Sequence, residues 1–164
     1  MNLLDQIPLV TRRVRADGIE LTRPYTASAR ELWEAVTDPS RLEHWFEPVT
    51  LGDGRFRLDS GTGGRIRVCT PEEHLSLDWD DGTLDLRFSP GSLTLTLTAA
   101  HDSVYGPAVD GVRWDSALVA LALHLAMDTE DIEGEEETFL RRVTEEWAGV
   151  DTPQTQRTIE FYLE

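Results

Sequence analysis

The chain alternates apolar and polar residues in one region, then changes period. Over residues 18–25, Ile19 and Leu21 alternate with Glu20 and Thr22, the period-two pattern of a strand with one buried face. Residues 28–46, SARELWEAVTDPSRLEHWF, follow a helical period instead. Leu32, Ala35 and Val36 share one face, and Leu42, Trp45 and Phe46 repeat at i, i+3, i+4. Ser28 with Glu31 three residues on forms a capping box that starts the first helix. Pro39 disfavours helical geometry at Asp38 and so ends it. Asp38 is then the N-cap of a second short helix, with Pro39 at its first position. Residues 1–16 read as a short lead-in.

From about residue 48 to 101 the period returns to two. The inward set is Phe56, Leu58, Ile66, Val68, Leu75, Leu77, Trp79, Leu84, Leu86, Phe88, Leu93, Leu95 and Leu97. Turn formers separate the runs, among them Gly61-Thr62-Gly63-Gly64 and Ser89-Pro90-Gly91, which predicts an antiparallel meander with one face buried and one wet. The outward arginines and aspartates are expected to pair across strands, each pair contributing under about 1 kcal/mol. Residues 108–127 predict a long helix with the stripe Trp114, Leu118, Leu121, Leu125 and further apolar residues, Val112, Val119 and Leu123, on other sides. A helix apolar nearly all round needs cover on both flanks. The sheet supplies one. The other falls to a C-terminal extension in which Phe139, Val143 and Trp147 repeat at i, i+4, i+8, followed by a last helix after Thr152-Pro153 with Ile159 and Tyr162 or Leu163 inward.

Composition narrows the partners. The 164 residues suit one domain with a substantial core, and the 40% hydrophobic and 28% charged content is that of a globular chain. The formal net charge of −16 opposes phosphate backbones and anionic lipid, so neither nucleic acid nor a membrane surface is an expected partner. Residues 128–164 hold 12 acids and three arginines, a net −9 of that total. All 15 basic residues are arginine, a habit of base composition more than of chemistry. Cys69 is the only cysteine, which rules out an internal disulfide or a Cys-based zinc site and fits a reducing cytoplasm. The N-terminal residues have their arginines after the apolar ones, the reverse of a secretory signal.

Three segments carry a family resemblance. LWEAVTDPSRLEHWF, GGRIRVCTPEEHLSLDW and VRWDSALVALALHL, in that order, resemble the hallmark segments of the SRPBCC (START, birch-pollen-allergen-like) superfamily, in the branch of the activator of heat-shock chaperone ATPase homologues. The resemblance runs from about residue 18 to 127 and departs at Val112-Arg113, before Trp114, where the family often has glycine. It implies an α+β helix-grip fold. A curved antiparallel sheet of about six or seven strands wraps a long helix, with two short helices after the first strand and a helical extension at the C-terminus. Residues 1–127 are the helix-grip domain; 128–164 are an acidic linker and extension packed on it. It also implies a cavity between sheet and helix, which in the superfamily holds lipids, sterols, polyketides or plant hormones.

Candidate chemistry is sparse. The inward set has no acid, base or nucleophile, so no catalytic residue is assigned; His44 and Tyr25 are the nearest polar groups to such a pocket. His74 and His101 read as surface turn residues and His124 as a contact of the long helix, with no metal-ligand spacing among the histidines. Gly61-Thr62-Gly63-Gly64 reads as a hairpin, because a strand follows and not a helix N-terminus. Cys69 alternates outward with Arg65 and Arg67. Trp33 and Trp147 read as volume fillers, whereas Trp45, Trp79 and Trp114 point to one interior as core or as pocket wall. The candidate ligand wall is Trp45, Phe56, Val68, Leu77, Trp79, Leu86, Phe88, Leu95, Trp114 and Leu118, with no metal or cofactor. Three functions stay open: binding of a small apolar molecule, a protein-interaction or homodimerising role of co-chaperone or regulatory kind, and a polyketide-cyclase-like enzyme.

Overall fold

The structure is a computed structural model of the chain. It describes residues 3–15, 18–80, 82–98, 107–126 and 136–150. After a 3-10 segment, Leu3–Leu9, come β1 (Thr11–Arg15) and β2 (Gly18–Pro24), then the helices α1 (Ala29–Thr37) and α2 (Pro39–Trp45). The meander follows: β3 (Val49–Gly52), β4 (Arg55–Leu58), β5 (Gly63–Thr70), β6 (His74–Trp79), β7 (Gly82–Ser89) and β8 (Ser92–Thr98). The long helix α3 (Pro107–Ala126) and α4 (Glu136–Val150) complete it.

The strands form one antiparallel sheet in the order β1-β2-β8-β7-β6-β5-β4-β3. This is the helix-grip architecture with eight strands, more than the six or seven expected. One of the additional strands is β1, in what reads from sequence as lead-in; the two short helices therefore follow the second strand. β1 escapes pattern reading because TRRVR has a single apolar residue. At the end of the β2–β8 ladder Gly18 permits the close approach, since a Cβ there would lie 1.8 Å from the Leu97 carbonyl oxygen.

The helix boundaries follow the local chemistry. The Glu31 N–H donates to Ser28 Oγ at 3.1 Å, and the Ser40 N–H to Asp38 Oδ1 at 2.9 Å with Pro39 next to the cap. The Ser40 hydroxyl, which also donates to Asp38 Oδ1 at 2.7 Å, and then the Ser40 N–H hold the Asp38 carboxyl below its ordinary value.

α3 is covered on both sides. Its front faces the sheet, packing most closely on β2; its back is covered by α4, which also reaches the 3-10 segment and β1. Phe139, Val143 and Trp147 of α4 are buried as their spacing predicts. Gly111 lies under Trp147, where a Cβ would come within 2.5 Å of the indole. A mid-helix glycine costs about 1 kcal/mol relative to alanine, and here it admits the largest fully buried side chain of the fold. The last helix expected after Thr152-Pro153, the acidic run before residue 136 and His101 lie outside the described residues.

A polar network joins these layers. Asp115 of α3 is 1% exposed and accepts Arg12 Nε at 2.9 Å and Arg12 Nη2 at 3.0 Å, with Trp147 Nε1 as a third donor. Arg12 also donates to the carbonyl oxygens of Ile7 and Val10. Burial lifts the Asp115 carboxyl above its ordinary value, opposed by the Arg12 and Trp147 hydrogen bonds. Beside it Arg23, also buried, donates to Gln6 and lies 5.3 Å over the Tyr25 ring. The Tyr25 hydroxyl donates to the Leu118 carbonyl at 2.8 Å, and burial pushes its pKa up. Arg23 keeps the inward parity of Ile19 and Leu21, a position at which the strand pattern expects an apolar residue.

Removing one member of a buried ion pair leaves an uncompensated charge, typically at a cost of 3–5 kcal/mol. Asp115→Ala should therefore lower unfolding stability by about 3–5 kcal/mol. Trp147→Phe keeps most of the ring and loses one charge-assisted bond, for about 1.5–3 kcal/mol. Equilibrium urea unfolding of both variants measures the difference.

Candidate functional site: an aromatic-walled cavity

The four strands β3–β6 and part of β7 and β8 curl away from α3, and α2 closes the gap. The space left is a cavity of about 170 Å³ whose surface is almost wholly apolar. α2 contributes Leu42 and Trp45, with Phe46 just beyond; α3 contributes Trp114, Ala117, Leu118 and Leu121. The placement of α2 depends on two bonds outside its own helix. Trp45 Nε1 donates to the Ala35 carbonyl at 2.9 Å, tying α2 to α1. Arg41 Nε donates to His124 Nε2 at 3.2 Å, tying α2 to the last turn of α3.

The rings form a connected wall. Phe46 stacks on Trp114 at 6.0 Å and 17°, and Phe56 on Trp79 at 5.8 Å and 13°. Trp79 meets Trp114 edge-on at 5.2 Å. Such pairs contribute about 0.5–1.5 kcal/mol each beyond their burial. Trp45 joins this wall through Phe46, 5.6 Å between ring centroids, so tryptophans of three elements are linked around the void.

Of the ten residues expected to form a ligand wall, eight line this cavity: Trp45, Phe56, Leu77, Trp79, Leu86, Leu95, Trp114 and Leu118. Two do not. Phe88 sits beyond the cavity, where it packs edge-on against Trp33 at 5.1 Å. Val68 is displaced by a register shift in β5: Ile66 pairs with Leu77, but Val68 pairs with Ser76 and Cys69 with Leu75. The extra residue shifts the parity, so Cys69 borders the cavity while staying exposed, as its expected outward position implies. A bulge of this kind adds one residue to one strand and cannot be read from alternation within that strand. Phe46 belongs to the apolar stripe of its helix but not to the expected wall, and its ring contacts with Trp45, Trp79 and Trp114 make it a central member.

The polar groups of the wall are few. Thr37 Oγ1 donates to the Trp33 carbonyl at 2.7 Å, and the Trp45 N–H is taken by Ala35, so neither donor is available to a guest. Of the two polar groups nearest by sequence, His44 points outward and is well exposed, and Tyr25 is committed to Leu118. His74 opens β6, half-buried and bonded to Asp85 of the next strand, not in a turn. Among the described residues no cluster of His, Cys, Asp and Glu could hold a metal ion, and no helix is long and apolar enough to cross a membrane.

A curved antiparallel sheet gripping a long helix around an apolar cavity defines the helix-grip class. The family model for Activator of Hsp90 ATPase homolog 1-like proteins matches residues 26–110, just over half of the chain, and the chain belongs to that family. Members of this fold family bind small hydrophobic ligands or act as cyclases or co-chaperones. The crystal structure of CalU16 from Micromonospora echinospora is similar at a TM-score of 0.69 and 27% identity, covering 86% of this chain and 94% of that one. A conserved protein of unknown function, EF2215 from Enterococcus faecalis, shares the fold at a TM-score of 0.67 and 17% identity, over 91% of this chain and 96% of that one. A curated relative, the formamidopyrimidine-DNA glycosylase of Kineococcus radiotolerans, is 29% identical over 171 residues, which take in 93% of this chain and 53% of that protein. The chain thus spans about half the length of the curated relative it matches.

The Arg41–His124 bond has a measurable signature. Burial, then the Arg41 charge, then His44 lower the His124 pKa below its ordinary value. A folded-state pKa below the unfolded one contributes stability that is complete above the unfolded pKa and is lost as pH falls through the folded one. Arg41→Gln should move the His124 midpoint back toward the free imidazole value and flatten that pH dependence. Imidazole NMR titration of both proteins reads the shift.

Proposed function

We propose that the protein binds one small apolar molecule in the cavity between sheet and α3. The observation that carries this reading is a void of about 170 Å³ with an aromatic and aliphatic wall and hardly any polar surface. An apolar cavity of about 150 Å³ stays dry and admits benzene, whereas pockets for drug-sized ligands run to roughly 300–1,000 Å³. The guest is therefore about one or two rings in size, unless α2 and Phe46 move outward. Recognition rests chiefly on shape and stacking: the Thr37 hydroxyl proton and the Trp45 N–H are already bonded, which leaves the indole N–H groups of Trp79 and Trp114 as the wall's remaining donors.

The wall argues against the cyclase reading. A general acid or base has to stand within hydrogen-bond reach of the reacting atom, and the wall offers only the Thr37 hydroxyl and the Cys69 thiol beyond its indoles. Base-directed chemistry of the kind named for the Kineococcus relative finds no acid or base in this wall either. In this reading the extension from residue 128 belongs to the same unit as the helix-grip domain, because Trp147 and Asp115 join α4 to the back of α3.

Toluene or naphthalene titrated into the labelled protein should shift the methyl resonances of Ala117, Leu95 and Leu118 saturably. Ala117→Phe, which fills the void, should abolish those shifts while unfolding stays cooperative. Non-saturating shifts in the folded protein would remove the proposal. Tightly packed Trp→Ala changes cost about 3–5 kcal/mol. Trp114→Ala should cost less, because the ring already faces a void, and urea unfolding checks it.

A further inference from the structure

The outer face of the sheet does not carry the charge pairing that its alternation predicts. Arg67 pairs with Asp78 through Nε at 2.8 Å and Nη2 at 3.2 Å, and Arg87 reaches Asp85. Arg55, Arg57 and Arg65 make no ion pair with any described residue. All three are exposed on the face opposite Phe56 and Leu58. Arg55 and Arg65 are direct cross-strand partners, and like charges directly opposite are destabilising. Asp78, already forked by Arg67, also accepts the Arg65 backbone N–H at 3.2 Å and is the acid nearest that charge. A chain with 31 acids and 15 bases still places three arginines without an ion pair of their own on two adjacent strands.

Two features of the same surface say what kind of group belongs there. First, the arginines flank an open concavity of about 490 Å³ with a floor of Gly52, Gly61, Gly63 and Gly64. Asp53 stands at one end of it. Side chains that would fill this space are missing, and a Cβ on Gly63 would come within 2.7 Å of the Phe56 carbonyl. Second, β3 is the last strand of the sheet. Its outer edge presents unpaired backbone N–H and C=O groups, a template for an added strand. Thr50 and Gly52 of β3 stand opposite Arg57 and Arg55, and are small enough for those arginines to reach over them. Between them Leu51, on the other face, is 48% exposed.

We propose that this surface docks an extended acidic segment of a partner protein. The segment adds to the free edge of β3, sets alternate carboxylates on Arg55, Arg57 and Arg65, and covers Leu51 with the apolar residues between them. Main-chain bonds give such strand addition its affinity and alternate side chains its specificity. The edge is what selects a polypeptide, because a nucleic acid has no backbone amides to continue the ladder. The charge of −16 elsewhere on the chain also repels a long polyanion while leaving a short acidic strand free to dock. The arginines lie on the outer face, away from the cavity, and Leu51 is the point where the docked segment would touch the cavity wall.

The probe is a short labelled peptide alternating glutamate with valine, titrated by fluorescence anisotropy at low and at physiological salt. Saturable binding that weakens with salt is expected. The triple substitution Arg55→Gln, Arg57→Gln and Arg65→Gln should weaken it about tenfold or more. Its thermal midpoint should be unchanged or raised, because a like-charge pair is gone. Replacing the glutamates by glutamine, or N-methylating the peptide's edge-facing amides, should also abolish binding. Equal binding by either altered peptide, or by the triple variant, overturns the proposal. So does binding of an oligothymidine or of pyrophosphate at these arginines without binding of the peptide. Sedimentation velocity provides the last arm: arginine-dependent self-association in place of peptide binding would assign the surface to a second copy instead.

Discussion

The fold depends on covering a helix that is apolar on nearly every side. α3 presents Trp114, Leu118 and Leu121 forward and Val112, Val119 and Ala122 elsewhere, and a single concave sheet reaches only part of that surface. The remaining flank is sealed by α4, where Trp147 presses on Gly111. Apolar contact is non-directional and would tolerate α3 turning about its axis. The bonds from Arg12 and Trp147 to Asp115 do not, because a guanidinium fork and an indole N–H meet a carboxylate in one geometry only. Asp115 adjoins Trp114, so fixing the back of the helix also fixes the ring at the front.

The cavity follows from the same arrangement. On the β1–β2 side, α3, α4 and the 3-10 segment fill the concavity, and its polar groups bond one another except for Arg23 Nε. On the β3–β6 side no such filler exists, and rings from α2, the sheet and α3 hold the walls apart by leaning on each other. Polar groups near the void have their bonds elsewhere: Trp45 to Ala35, Thr37 to Trp33 and Tyr25 to Leu118. Inside and outside of one strand pair thus serve different chemistries, with Phe56 facing the void and its neighbours Arg55 and Arg57 facing solvent.

Much of this was legible in the chain. The Ser28 and Asp38 caps, Pro39, the alternation of the later strands and the stripe of α3 are local signals, and each produced its element. Of the eight expected wall residues that line the void, Phe56, Leu77, Trp79, Leu86 and Leu95 follow from that alternation, and Trp45, Trp114 and Leu118 from the helical stripes. Phe88 has the right parity but lies past the end of the void, and parity assigns a face without assigning a position along it. Val68 leaves the wall and exposed Cys69 reaches its rim because of a bulge that exists only in the pairing of two strands.

Sequence by itself determined which elements form and which face of each is apolar, since propensity, capping and periodicity act over a few residues. Tertiary structure decided what lies across from what. It put Arg12 and Trp147, far apart in the chain, on one carboxylate; it left Arg55 facing Arg65 with no acid between them; and it opened a void between strands and helix. Those outcomes depend on register, curvature and the closure of long loops, none of which is encoded in the spacing of residues along a single strand or helix.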